Sequence, residues 1–133
     1  MRKMILLISL FLLSACTTKV SFIPERGYLN DATVGTPYYS QINTFGGLVL
    51  SHDIYGRQVI AGDVYPDNIG LYVQYCDEDK LNNCLQIRGV PTKPGIAKVR
   101  VRGILAGGLF FKGSEFDKTY IITIKDSKDL PST

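Results

Sequence analysis

Three thiols, one imidazole and one run of carboxylates are the side chains of this 133-residue sequence best suited to chemistry. The thiols are Cys16, Cys76 and Cys84, the imidazole is His52, and the carboxylates are Asp77, Glu78 and Asp79. Ser51-His52-Asp53 holds the three residue types of a hydrolase triad. Neighbours on a strand point to opposite faces, so these three cannot form the Ser–His–Asp chain of hydrogen bonds. No second histidine offers a general base, and no G-x-S-x-G elbow or phosphate-binding glycine loop occurs. Two cysteines and one distant histidine fall short of a tetrahedral zinc set. Calcium needs about six to eight oxygen ligands; position 81 is leucine and the glycine of an EF-hand loop is missing. Asp77 to Asp79, with Asn82 and Asn83, therefore read as a solvated acidic turn. The expectation is a protein that is not an enzyme, with no cofactor and no metal.

The surroundings of Cys16 give it a different chemistry. Arg2 and Lys3 precede an apolar stretch, Met4 to Leu13, broken only by Ser9; small Ser14 and Ala15 then lead to the cysteine. A basic start, an apolar middle and small residues at the cut are the layout of a secretory signal. The stretch is too short to cross a hydrocarbon core of about 30 Å as a helix. Leu13-Ser14-Ala15-Cys16 resembles the lipobox of bacterial lipoproteins. The resemblance implies cleavage before Cys16 and a diacylglyceryl group on its thiol. One acyl chain, at about 0.8 kcal/mol per buried CH₂, binds a bilayer marginally, and two or three hold it firmly. Thr17, where an aspartate would favour inner-membrane retention, resembles an outer-membrane address. The expected location is the cell envelope, at the outer membrane, facing the periplasm or the surface.

Removing residues 1–15 leaves 118 of the 133, one domain's worth. A chain of that length buries roughly two thirds of its unfolded surface, enough for its own core. The net charge of +3 includes Arg2 and Lys3. Without them 13 basic residues face 12 acidic ones, which lends no support to nucleic acid as a partner. With Cys16 taken by lipid, Cys76 and Cys84 remain, and two thiols of an exported chain are expected to pair. Closing the loop CDEDKLNNC is worth roughly 2.5 kcal/mol in chain entropy.

The elements that position these groups are short and β-like. Thirteen glycines, six prolines and eight tyrosines punctuate the chain, and no stretch beyond residue 16 sustains a helical apolar stripe. Strands are expected at about 37–45, 48–52, 57–61, 69–76, 84–88, 96–105 and 118–125. In IAKVRVRG, Ala97, Val99 and Val101 alternate with Lys98, Arg100 and Arg102, the period of a half-buried strand. Ile121, Ile122 and Ile124 form a β-branched run apolar on both faces. About seven short strands between turns predict an all-β, antiparallel sandwich.

Val34-Gly35-Thr36-Pro37-Tyr38, then Tyr65-Pro66-Asp67-Asn68-Ile69-Gly70-Leu71, then Gly89-Val90-Pro91-Thr92-Lys93-Pro94-Gly95 occur in that order. The series resembles the bacterial Ig, cadherin-like module over residues 33 to 125, and implies a single Ig-like sandwich. The same residues reverse a chain on their own physics, since proline fixes φ and glycine permits positive φ. Two segments depart from the module's pattern, the cysteine loop and AGGLFFKGSEFD between the last two strands. The expected organisation is a signal at 1–15, a lipidated amino terminus and tether at 16–32, the sandwich at 33–126 and a tail at 127–133. Thr17 to about Val20 is the stretch read as tether in the strict sense.

Two surfaces are candidates for partner contact. Leu109, Phe110 and Phe111 sit among Gly107, Gly108 and Gly113, either as an exposed apolar loop or as core side chains of a longer hairpin. Lys98, Arg100 and Arg102, with Arg88 and Lys93 near in sequence, read either as a ridge for an anionic envelope polymer or as a solvated face discouraging edge pairing. The functional expectation is a membrane-anchored envelope lipoprotein acting as a binding or structural accessory module. Its partners are the bilayer, through acylated Cys16, and an envelope protein or polymer. The first rival is a lipid-anchored inhibitor of an envelope-attacking enzyme such as lysozyme; the second, disfavoured for want of catalytic motifs, is a cell-wall hydrolase.

Overall fold

The computed structural model describes residues 19–50, 55–57, 61–76, 83–106 and 114–129. Cys16, Ser51 to Asp53, Asp77 to Asp79 and Leu109 to Phe111 lie outside them. The described chain is an all-β sandwich of eight strands. One sheet holds β1 (Ser21–Ile23), β3 (Tyr38–Phe45), β6 (Cys84–Gly89) and β5 (Leu71–Tyr75) in the order β1-β3-β6-β5. The other holds β2 (Ala32–Thr33), β8 (Ser114–Lys125), β7 (Gly95–Leu105) and β4 (Gly62–Tyr65) in the order β2-β8-β7-β4. All pairings are antiparallel except the short β2–β8 pair.

The core follows from period-2 alternation meeting itself across the two sheets. Ile42, Leu71, Leu85 and Ile87 face inward from the first sheet, and Ala97, Val99, Val101, Tyr120, Ile122 and Ile124 from the second. Five expected strands are present with small changes of boundary. β8 starts four residues earlier than its apolar run suggests, because Phe116 finds an inward place opposite Gly103. A Cβ on Gly103 would stand 2.9 Å from the Phe116 ring, so the missing side chain makes the room. The segment expected as a strand at 48–52 contributes one isolated bridge, Val49 to Leu105, and residues 51–52 lie outside the described set. Of 57–61, residues 58–60 lie outside it; the strand found nearby is β4, whose single buried residue, Val64, is too little pattern to announce it.

The sandwich also takes in residues assigned to the tether. Ser21, Phe22 and Ile23 pair with Phe45, Thr44 and Asn43. Leu29 and Ala32 are buried in the core. The intervening segment is strapped to β8: Leu29 N donates to Ile121 O, Ile121 N to Gly27 O, and Lys118 Nζ to Glu25 O. The Tyr120 hydroxyl donates to Pro24 O over 2.6 Å, and burial pushes that phenol's pKa up to about 12.

The three turn motifs meet at one pole. Gly35 N donates to Pro91 O and Thr92 N to Ile69 O. Gly70 and Gly89 lie back to back with φ of +86° and +125°. A Cβ on Gly89 would fall 1.9 Å from Gly70 O, so neither position accepts a side chain. At the opposite pole the disulfide links Cys76 to Cys84 across β5 and β6, with Cα atoms 5.4 Å apart. Asn83 beside it donates to Thr44 O and Gly47 O and accepts from Val49 N, holding the turn after β3.

Candidate functional site

β3, β6 and β5 carry an outer face built from three cross-strand rows. In the first, Tyr39 and Tyr72 each pair with Arg88. In the second, Gln41 and Gln74 each pair with Gln86. The third brings Asn43 opposite Cys84, which the disulfide joins to Cys76. Alternation requires this arrangement: the inward partners are Tyr38, Ser40, Ile42, Leu85 and Ile87, which leaves every second residue outside.

The rows are ordered by their own contacts. The Tyr39 hydroxyl donates to Gln41 Oε1 at 2.9 Å, Gln41 Nε2 to Asn43 Oδ1 at 3.3 Å, and Gln74 Nε2 to Gln86 Oε1 at 3.1 Å. The Arg88 guanidinium stands 5.5 Å from the centre of the Tyr39 ring, a cation–π distance. Tyr39 and Tyr72 are 49% and 52% exposed, so each presents a ring to solvent. They flank Arg88 two strand spacings apart, about 9.6 Å. A cleft of about 580 Å³ adjoins this face, between the strapped segment and β3, with Tyr28, Asn30, Tyr39 and Gln41 among its walls. Arg88 is the only charged residue in the four strands of this sheet.

Lys98, Arg100 and Arg102 do share one exposed face, that of the second sheet. A ridge of one sign is not formed. Asp63 pairs opposite Arg100, Asp117 opposite Arg102, and Glu115 opposite Ile104. Arg100 binds Asp117 through two hydrogen bonds of 2.9 and 2.5 Å, and this holds the Asp117 carboxyl below the usual carboxylate range. β7 lies between β8 and β4, so its cations guard no sheet edge. Arg88, close to them in sequence, belongs to the other sheet. Cys76 and Cys84 are bonded as expected.

The Tyr–Arg–Tyr and Gln–Gln–Gln rows escaped the sequence reading. Their trace was present as alternation, Tyr39/Gln41/Asn43, Tyr72/Gln74 and Gln86/Arg88, but strand pairing was needed to align it. Among the described residues, no three His, Cys, Asp or Glu side chains gather as a metal site. No family model, curated protein or solved structure matches the chain.

Proposed function

We propose that this chain is a bacterial envelope lipoprotein, cleaved before Cys16 and acylated there, whose Ig-like sandwich works by binding. The Leu13-Ser14-Ala15-Cys16 sequence and the basic-then-apolar start support the anchor. The observation that carries the binding role is the outer face of β3, β6 and β5, where Tyr39, Arg88 and Tyr72 stand in one row on an otherwise uncharged sheet. Interfaces enrich tyrosine and arginine and deplete lysine and carboxylates, because a phenol or a weakly hydrated guanidinium costs less to strip of water than an ammonium or a carboxylate. The partner is an envelope polymer or protein that presents an anionic group to Arg88 between the two rings.

Two measurements test the two halves. Mass spectrometry of the membrane-extracted protein should find an acylated amino terminus at Cys16, and Cys16→Ser should release the chain into the soluble fraction. A bare terminus on a freely soluble wild-type protein overturns the anchor. In living cells, a photo-crosslinking residue at Tyr72 should capture a partner that one at Lys98, on the opposite sheet, does not. Arg88→Glu should abolish that capture. Equal capture from both faces refutes the assignment of the binding face.

A further inference from the structure

We infer that the pole bearing the disulfide is a bilayer-contacting surface, its ligand the lipid surface itself. The inference rests on the acylation of Cys16 proposed above. β1 runs antiparallel to β3 with Ser21 opposite Phe45, so the amino-terminal segment reaches the sandwich at this pole. Lys19 lies against the turn after β3, its carbonyl oxygen 2.8 Å from the position of a Cβ on Gly46. Four residues lie between Cys16 and Ser21, five steps of chain with a reach of about 17 Å when fully extended. An acylated cysteine on so short a leash brings this pole, and no other, to the membrane.

The side chains around the pole suit that neighbour. Phe45, Leu48, Leu50 and Ile104 are 46%, 43%, 44% and 45% exposed. Leu48, Leu50 and Ile104 adjoin, since Leu50 N donates to Ile104 O and Ala106 N to Leu48 O, and Phe45 ends β3 at the same pole, from the other sheet. Elsewhere among the described residues, five of the eight large exposed apolar residues are tyrosines; the aliphatic ones are Ile23, on β1, and Val90 and Ile96, at the far pole. Clustered exposed apolar side chains mark an interface, and the leash supplies the occupant. Shallow insertion of the rim stands the sandwich upright. Tyr39 is six residues along β3 from Phe45, so the Tyr39–Arg88–Tyr72 row lies about 20 Å farther from the membrane.

The chain contains no tryptophan, so single-tryptophan variants report one position each. Full-length acylated Phe45→Trp, Leu48→Trp, Tyr72→Trp and Val90→Trp proteins are reconstituted in phosphatidylcholine vesicles with brominated acyl chains. Acylation is checked by mass spectrometry on the same samples, and folding by thermal melting. Emission from positions 45 and 48 should be quenched at least twofold, and from 72 and 90 hardly at all. An acylated protein unquenched at both 45 and 48 overturns the placement and leaves the anchor standing, and so does equal quenching at all four positions. An unacylated amino terminus removes the anchor and this placement together. Two rim positions are used so that misfolding of one variant does not decide the result.

Discussion

The strands of the β1-β3-β6-β5 sheet contain one charged residue, Arg88, whereas those of the β2-β8-β7-β4 sheet contain eight: Asp63, Lys98, Arg100, Arg102, Glu115, Asp117, Lys118 and Lys125. Both sheets obey the same inward–outward alternation and share one core. On the charged face, cations and carboxylates interleave and stay hydrated, and the Arg100–Asp117 pair is exposed on both sides. On the other face, amides and phenols bind one another through soft contacts that a partner can replace without stripping an ion pair of water. Outward alternation therefore marks solvent exposure in both sheets, and charge content separates a solvated face from one suited to contact.

The largest effect should come from the layer common to both sheets. Ile87→Ala removes a fully buried side chain and should cost about 2–5 kcal/mol. Gln86→Ala, one residue along and facing out, should cost under about 1 kcal/mol. Urea unfolding of the pair checks this, and equal losses would break the distinction between the layers. Next, replacing both Cys76 and Cys84 with serine should cost roughly 2.5 kcal/mol, with no equivalent cross-link in the charged sheet among the described residues.

Tyr120→Phe, in the charged sheet, should cost about 1 kcal/mol by unpairing Pro24 O. It also sharpens the comparison through pH. The Tyr120 pKa is raised to about 12 in the fold, above the ordinary value of about 10. Its contribution is thus fully present below the ordinary value and is lost as pH rises through the folded one. Unfolding measured across that alkaline window should show a decline that Tyr120→Phe lessens. Tyr38 and Tyr75, whose pKa values burial also raises, contribute to the residual slope.

The smallest effect is expected at Arg100→Gln. Exposed ion pairs contribute little, so the unfolding midpoint should not move, while the Asp117 carboxyl, followed by NMR, should titrate upward toward the ordinary range. With its pKa depressed in the fold, any stability it adds is present above the ordinary aspartate value and lost as pH falls below it. A clear drop in stability at neutral pH would show that the charged face is structural rather than merely solvated.

Local pattern was enough for the long strands. Lys98 to Arg102 had to alternate, Ile121 to Ile124 had to be strand, and the glycine–proline motifs had to turn, because each of these depends on φ, ψ and the period of the backbone alone. The all-β class followed from the same short-range information, while the pairing of Cys76 with Cys84 was expected from the number of thiols and an exported chain. What needed the tertiary structure was every relation between segments distant in sequence. β1, β2 and β4 carry two to four residues each, too few to show a period, and exist as strands because β3, β8 and β7 offer edges to pair with. Asp63, Glu115 and Asp117 cancel the apparent basic ridge only once β4 and β8 flank β7. Tyr39, Tyr72 and Arg88 become one row only through β6 lying between β3 and β5. Backbone periodicity is a property of neighbouring residues and is written in them; a binding face is a property of strand order and register, which the packing of the whole core selects.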